Sequence, residues 1–149
     1  MADVVANIAK GRILRYAGLL EASDGLVAIP LEAAGLPSDD VLQDYDTVAD
    51  LLAGAANEQT SMGRVAVTGV VVAVNDTANS ASFDVNDMSW PLATGNPVGK
   101  LVIAYDPDTT AGTDSSLIPL TYHDFAVTPD GTDIVARVHT DGVSVESNA

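Results

Sequence analysis

At 149 residues the chain is about one domain long, and with 47 % apolar but only 5 % aromatic residues its core must be built from Val, Ile, Leu and Ala; a domain of this size buries roughly 70 % of its unfolded surface. Six Lys and Arg against 21 Asp and Glu give a formal charge of −15, which argues against direct binding to phosphate backbones or anionic membranes, because both need a cationic surface. There is no cysteine for disulfides or thiolate metal sites, and no stretch approaches the ~20 apolar residues of a membrane span.

The start, Met1 to Asp3, lacks the basic-then-apolar pattern of a secretory signal, so synthesis and folding in a cytoplasm are expected. From Val4 to Leu20, Val5, Ile8, Ala9, Ile13, Tyr16, Ala17 and Leu20 recur at threes and fours. This spacing predicts an amphipathic helix capped by Asp3, with residues 1–22 as a helical arm. The segment carries Lys10, Arg12 and Arg15, half of the basic residues. It is either an arm for an acidic neighbour or an ordinary packed helix with a wet face.

Ser23, Asp24 and Gly25 read as a turn and Leu26–Leu31 as a short buried strand, with Pro30 placing its end near a sheet edge. Within Asp44–Ala56, Val48, Leu51, Leu52 and Ala55 share a helical face, so a second helix is predicted, capped by Asp46 or Thr47 and closed early by Gly54. Beyond Thr60 the period changes to two. Arg64–Val74 alternates, a turn-rich loop follows from Asn75, and Ser82–Val85 resumes an extended pattern. Asp87–Trp90 with Pro91 reads as an irregular corner. Further strands are predicted at Leu101–Tyr105, Leu117–Leu120, Phe125–Thr128 and Ile134–Val138, with Pro129-Asp130-Gly131 as a hairpin turn. The polar end, residues 140–149, reads as a loose or exchanged tail. With no repeat or linker in view, residues 1–149 form one β-rich domain. Strand spacing points to a mainly β fold, a jelly-roll-like antiparallel β-sandwich with one or two short N-terminal α-helices.

Residues that could carry chemistry are few. Nucleophilic catalysis needs a base, and only His123 and His139 are available, neither in a recognisable motif. His123 and Asp124 are adjacent, and neighbours on a strand point to opposite faces. Asp106, Asp108 and Asp114 with Gly112 gather oxygen ligands suited to a hard cation, yet the spacing is not that of an EF-hand. The competing reading is a wide turn in which Asp and Thr side chains bond nearby amides. Trp90, the one tryptophan, is expected to anchor a core corner or a subunit interface. With 21 acidic residues, some carboxylates must lie close together, and proximity alone does not make a glycosidase site. No catalytic, cofactor-binding or metal-ligating residue is assigned, and no enzyme activity is expected.

Four blocks in order, NIAKGRI (Asn7–Ile13), DYDTVADLLAG (Asp44–Gly54), NDTANSASFDV (Asn75–Val85) and the run from Gly99 to Ile134, carry a likeness to known proteins. The chain resembles small virion structural proteins of tailed bacteriophages, of the type that decorate or cement the capsid. The resemblance implies a mostly β protein, often a homotrimer, on the capsid exterior, whose partners are the major capsid protein and further copies of itself. The ending, His139–Ala149, is polar and without an aromatic finish, which argues against anchoring through the C terminus. Competing readings are a head fibre, tail fibre knob or neck component. From other classes come a carbohydrate-binding module, against which the scarcity of aromatic residues speaks, and a carboxylate-dependent hydrolase.

Overall fold

The structure, a computed structural model, describes residues 3–10, 23–75, 77, 80–139 and 143–146. Three long apolar strands form its centre: β2 (Gly25–Glu32), β7 (Val98–Asp106) and β8 (Ile118–Val127). With β1 (Val4–Val5) and β3 (Val65–Val67) they make an antiparallel five-stranded sheet in the order β1-β8-β7-β2-β3. Both faces of the middle strands are largely buried, which explains why Leu26–Leu31 and Leu101–Ala104 read as continuous apolar runs. A three-stranded sheet joins β4 (Val71–Asn75), β5 (Ser80–Asp84) and β10 (Val143–Glu146), and a two-stranded one joins β6 (Met88–Trp90) and β9 (Ile134–Ala136). Two short helices, α1 (Asp39–Leu42) and α2 (Val48–Gly54), lie between β2 and β3 in the chain. The described residues are therefore mainly β, with antiparallel sheets and two short α-helices, as the strand spacing implies.

Helix α2 forms where expected. Thr47 Oγ1 accepts the amide of Asp50 at 3.0 Å. The free amides of Val48 and Ala49 donate to the carbonyls of Leu117 and Asp114, so the first turn leaves few orphan donors. Val48 and Leu51 are fully buried. Pro30 sits inside β2 opposite Leu101 but beyond β3, whose pairing ends at Ala28–Val65. The sheet on that side has already run out, and the Pro30 carbonyl takes the amide of Gln59 instead.

Several expectations are corrected. The helix predicted from Val4 does not begin there: Val4 and Val5 pair with Tyr122 and Thr121, and Asn7–Ala9 make a single 3-10 turn. β-branched residues at a sheet edge win over helical periodicity here, while residues 11–22 of the predicted arm lie outside the described residues. The alternating run Arg64–Val74 is two strands in two sheets, parted at Gly69, whose φ of +68° admits the corner and whose missing side chain leaves room for Asn86. Asp87–Trp90 is not an irregular corner, since Met88, Ser89 and Trp90 pair with Ala136, Val135 and Ile134. The strands predicted at Leu117–Leu120 and Phe125–Thr128 are one strand, β8, because Tyr122 between them is buried in the core. Gly131 does adopt a positive φ of 90°, but β8 and β9 belong to different sheets, so the turn redirects the chain without closing a hairpin. Residues 143–146 of the C-terminal segment pair with β5 of the same chain; 140–142 and 147–149 lie outside the described residues.

Candidate functional site

Antiparallel partners share a face, so the register places Leu101 with His123, Ile103 with Thr121 and Thr121 with Val5 on one side of the five-stranded sheet. Met88 of β6 and Ala136 of β9 stand across from them, and a cleft of about 470 Å³ lies between. The cleft is mixed in character. Leu101, Ile103, Phe125 and Met88 supply apolar walls, and Asp3, Thr121, His123, Arg137 and His139 supply polar ones. Both histidines of the chain therefore line one cleft, although they are sixteen positions apart in sequence and His139 lies beyond the end of β9.

His123 is held at both ring nitrogens, with Nδ1 3.0 Å from Asp3 Oδ2 and Nε2 2.8 Å from Thr121 Oγ1. The other oxygen of Asp3 accepts the amide of Asp124 at 2.8 Å. Burial alone raises the Asp3 pKa, but the Asp124 amide and the His123 ring together bring it below the usual carboxylate range. A hydroxyl, an imidazole and a carboxylate in line can pass a proton along. In this position the same three groups also fasten β1 to β8, because Asp3 precedes β1 and both of its partners lie on β8. His123 and Asp124 point to opposite faces, as neighbours on a strand must.

On the other face, Lys100 is fully buried, with Nζ 2.6 Å from Asp124 Oδ1 and 3.1 Å from Asp39 Oδ1. Two carboxylates do lie close together here, with an ammonium between them. Burial works against the charge on Lys100, but the hydrogen bonds to Asp124 and Asp39 outweigh it and its pKa is raised. Tyr122 shares this face. Among the described residues its buried hydroxyl has no hydrogen-bond partner, and burial, with a smaller contribution from Tyr45, pushes its pKa well up.

These two groups set an alkaline limit. Each has a folded pKa above its ordinary value of 10.0 or 10.5, so its contribution is complete below pH 10 and is lost as pH rises toward the folded pKa. Stability measured by denaturant titration is therefore expected to fall above about pH 10. Tyr122→Phe removes a buried unsatisfied hydroxyl. We expect it to add about 1–2 kcal/mol at neutral pH and to flatten the alkaline decline. A less stable variant would overturn this account of the hydroxyl.

The Asp106–Asp114 loop does not gather its carboxylates around a point. Asp106 Oδ1 accepts the Asp108 amide at 3.0 Å, while Asp108 Oδ1 accepts the amides of Thr110 and Ala111 and the Thr110 hydroxyl, which lowers its pKa. Asp114 Oδ1 takes Arg64 Nη1 at 2.6 Å, and Arg64 is gripped on its other side by both oxygens of Glu58. Gly112 folds so closely over this turn that a Cβ would stand 2.5 Å from the Asp108 carbonyl. Among the described residues no three His, Asp or Glu side chains are placed to hold a metal ion, and no helix is long and apolar enough to cross a membrane.

Trp90 is a core residue, 2 % exposed, with Nε1 donating to the Gly63 carbonyl at 2.9 Å and its ring centroid 5.9 Å from that of Phe125. Asp3 and Arg137 are the cleft residues that sequence reasoning missed. No local motif marks either, since His123 and Asp3 are 120 positions apart. Compared with known proteins, the chain matches no family model, no curated protein and no solved structure.

Proposed function

We propose that this chain is a structural protein of a tailed-bacteriophage virion, a capsid decoration or cement protein that bridges neighbouring subunits of the major capsid protein on the particle's exterior. The observation that carries the reading is the ordered sequence likeness of Asn7–Ile13, Asp44–Gly54, Asn75–Val85 and Gly99–Ile134. Within those blocks lie the 3-10 turn Asn7–Ala9, the α2 helix, β5, and the path through β7, the Asp-rich turn and β8 into β9. A mainly β, sandwich-like body with a net charge of −15 is compatible with a protein that works through surface contacts and stays soluble at high copy number.

In this role the work is mechanical. A protein that binds the mature lattice better than its precursor stabilises that lattice by mass action, and a homo-oligomer, a trimer by the resemblance, multiplies the contacts. Quantitative mass spectrometry of purified virions against the major capsid protein tests it. Hundreds of copies in simple ratio to the capsid subunit are expected. Tens or fewer would move the protein to a head fibre, tail fibre or neck, and none would end the virion reading.

A further inference from the structure

We propose that the turn at residues 91–93 is a docking knob, whose exposed Leu92 enters an apolar pocket bounded by lysine or arginine on the major capsid protein. Leu92 has a φ of +49°, and among the described residues every other positive φ falls on a glycine: Gly35, Gly63, Gly69, Gly95 and Gly131. A bulky side chain is strained in that region, where Gly or Asn would sit at less cost. Three hydrogen bonds to the loop before β9 hold the strain in place. The Leu92 amide donates to Asp133 Oδ1 at 2.9 Å, the Ala93 amide to the Thr132 carbonyl at 2.9 Å, and the Gly131 amide to the Ala93 carbonyl at 2.7 Å. Packing does not explain the residue either, since Leu92 is 73 % exposed. A single exposed leucine is ordinary on a protein surface, but one that is both strained and exposed gains nothing inside its own chain.

The surroundings of Leu92 define the chemistry of its partner. Residues 88–99 and 125–136, which build the turn and the loop bonded to it, contain no lysine, arginine or histidine. Asp130 and Asp133 are exposed in that bonded loop, to either side of the Thr132 carbonyl that takes the Ala93 amide. An apolar tip with carboxylates beside it is complementary to an apolar pocket with a cationic rim, and it repels an acidic surface such as that of another copy of this chain. Val135, on the strand paired with β6, is 45 % exposed and adds apolar area on the same two-stranded sheet. Because the turn is already fixed, seating it costs little ordering of the chain. One knob is a small contact, so its strength on a lattice comes from repetition, as copies within an oligomer engage neighbouring subunits. The choice of the capsid protein as partner rests on the virion reading.

Particles assembled without this chain, from the phage that encodes it, are titrated with the wild type, Leu92→Asn and a Val41→Asn control on α1, where Val41 is also exposed. Asparagine tolerates a positive φ, so Leu92→Asn is expected to melt no lower than the wild type while its dissociation constant rises at least ~10-fold. Val41→Asn removes exposed apolar surface elsewhere and is expected to bind within about twofold of the wild type. Raising NaCl from about 50 mM to about 500 mM is expected to weaken wild-type binding severalfold, as a cationic rim requires. A Leu92→Asn variant that binds as tightly as the wild type, or that loses stability, would overturn the inference and leave the virion reading standing. Binding indifferent to salt would overturn the cationic rim. A wild-type chain that does not bind these particles would end the virion reading itself, and the docking partner with it.

Discussion

Stripping Lys100 of both carboxylates, in an Asp39→Asn/Asp124→Asn variant, is expected to cost about 3 kcal/mol and roughly 10 °C of melting temperature. The expectation rests on an asymmetry of exposure. The Lys100 side chain is wholly buried, whereas those of Asp39 and Asp124 are 21 % and 41 % exposed. A carboxylate that loses Lys100 can turn to water, but an ammonium that loses both carboxylates cannot. Breaking a buried pair from the solvated side therefore leaves the more costly remnant. Lys100→Met in the same background removes that remnant and is expected to recover most of the loss. Thermal and urea denaturation of the wild type and the two variants measure the series. A loss below about 1 kcal/mol in the carboxylate variant would show that the buried charge finds support elsewhere.

Trp90→Ala is the largest single loss we expect, about 3–5 kcal/mol. The indole is buried, and its neighbours come from separate parts of the chain: Ile134 is its partner across the β6–β9 ladder, Phe125 of β8 stands against its ring, and the Gly63 carbonyl accepts the hydrogen bond of its Nε1–H. Truncation would open a cavity between the two-stranded and five-stranded sheets and leave the Gly63 carbonyl unpaired. Trp90→Phe refills part of the volume but not the hydrogen bond, so about 1–2 kcal/mol is expected there. Circular dichroism is the proper readout, because the substitution removes the one tryptophan fluorophore. An alanine variant within about 1 kcal/mol of the wild type would mean that the site collapses freely and that Trp90 does not join the sheets.

Elements whose signals are local were legible in the sequence. Leu26–Leu31 reads as β2 because both faces of that strand are covered, and Val48–Gly54 reads as α2 because Thr47 caps it and its apolar face is continuous. Where tertiary pairing decides, local signals mislead. Val4 and Val5 lie in a helical period, yet they extend because β8 offers an open edge. Alternation runs unbroken through Gly69 although the chain changes sheets there, since the period of two reports strand conformation and not the choice of partner. The polar look of Thr121–Asp124 divides β8 in sequence, but each of those side chains has found its own partner or burial in the fold. The cleft was illegible for the same reason: His123 and His139 were visible one by one, but strand order and not spacing brings them together with Asp3.

The seam between β1 and β8 also has a temporal meaning. Asp3 and Asp124, joined by a hydrogen bond, are separated by 121 positions, nearly the whole chain. At synthesis rates of ~5–20 residues per second, the first strand made waits many seconds before its binding edge emerges from the ribosome. Through that interval β2 and β7 can find each other, while Val4 and Val5 remain without their partners Tyr122 and Thr121. Docking of the N terminus is thus a closing step, made after the sheet it completes, and the loop-closure entropy it must overcome is among the largest this fold contains.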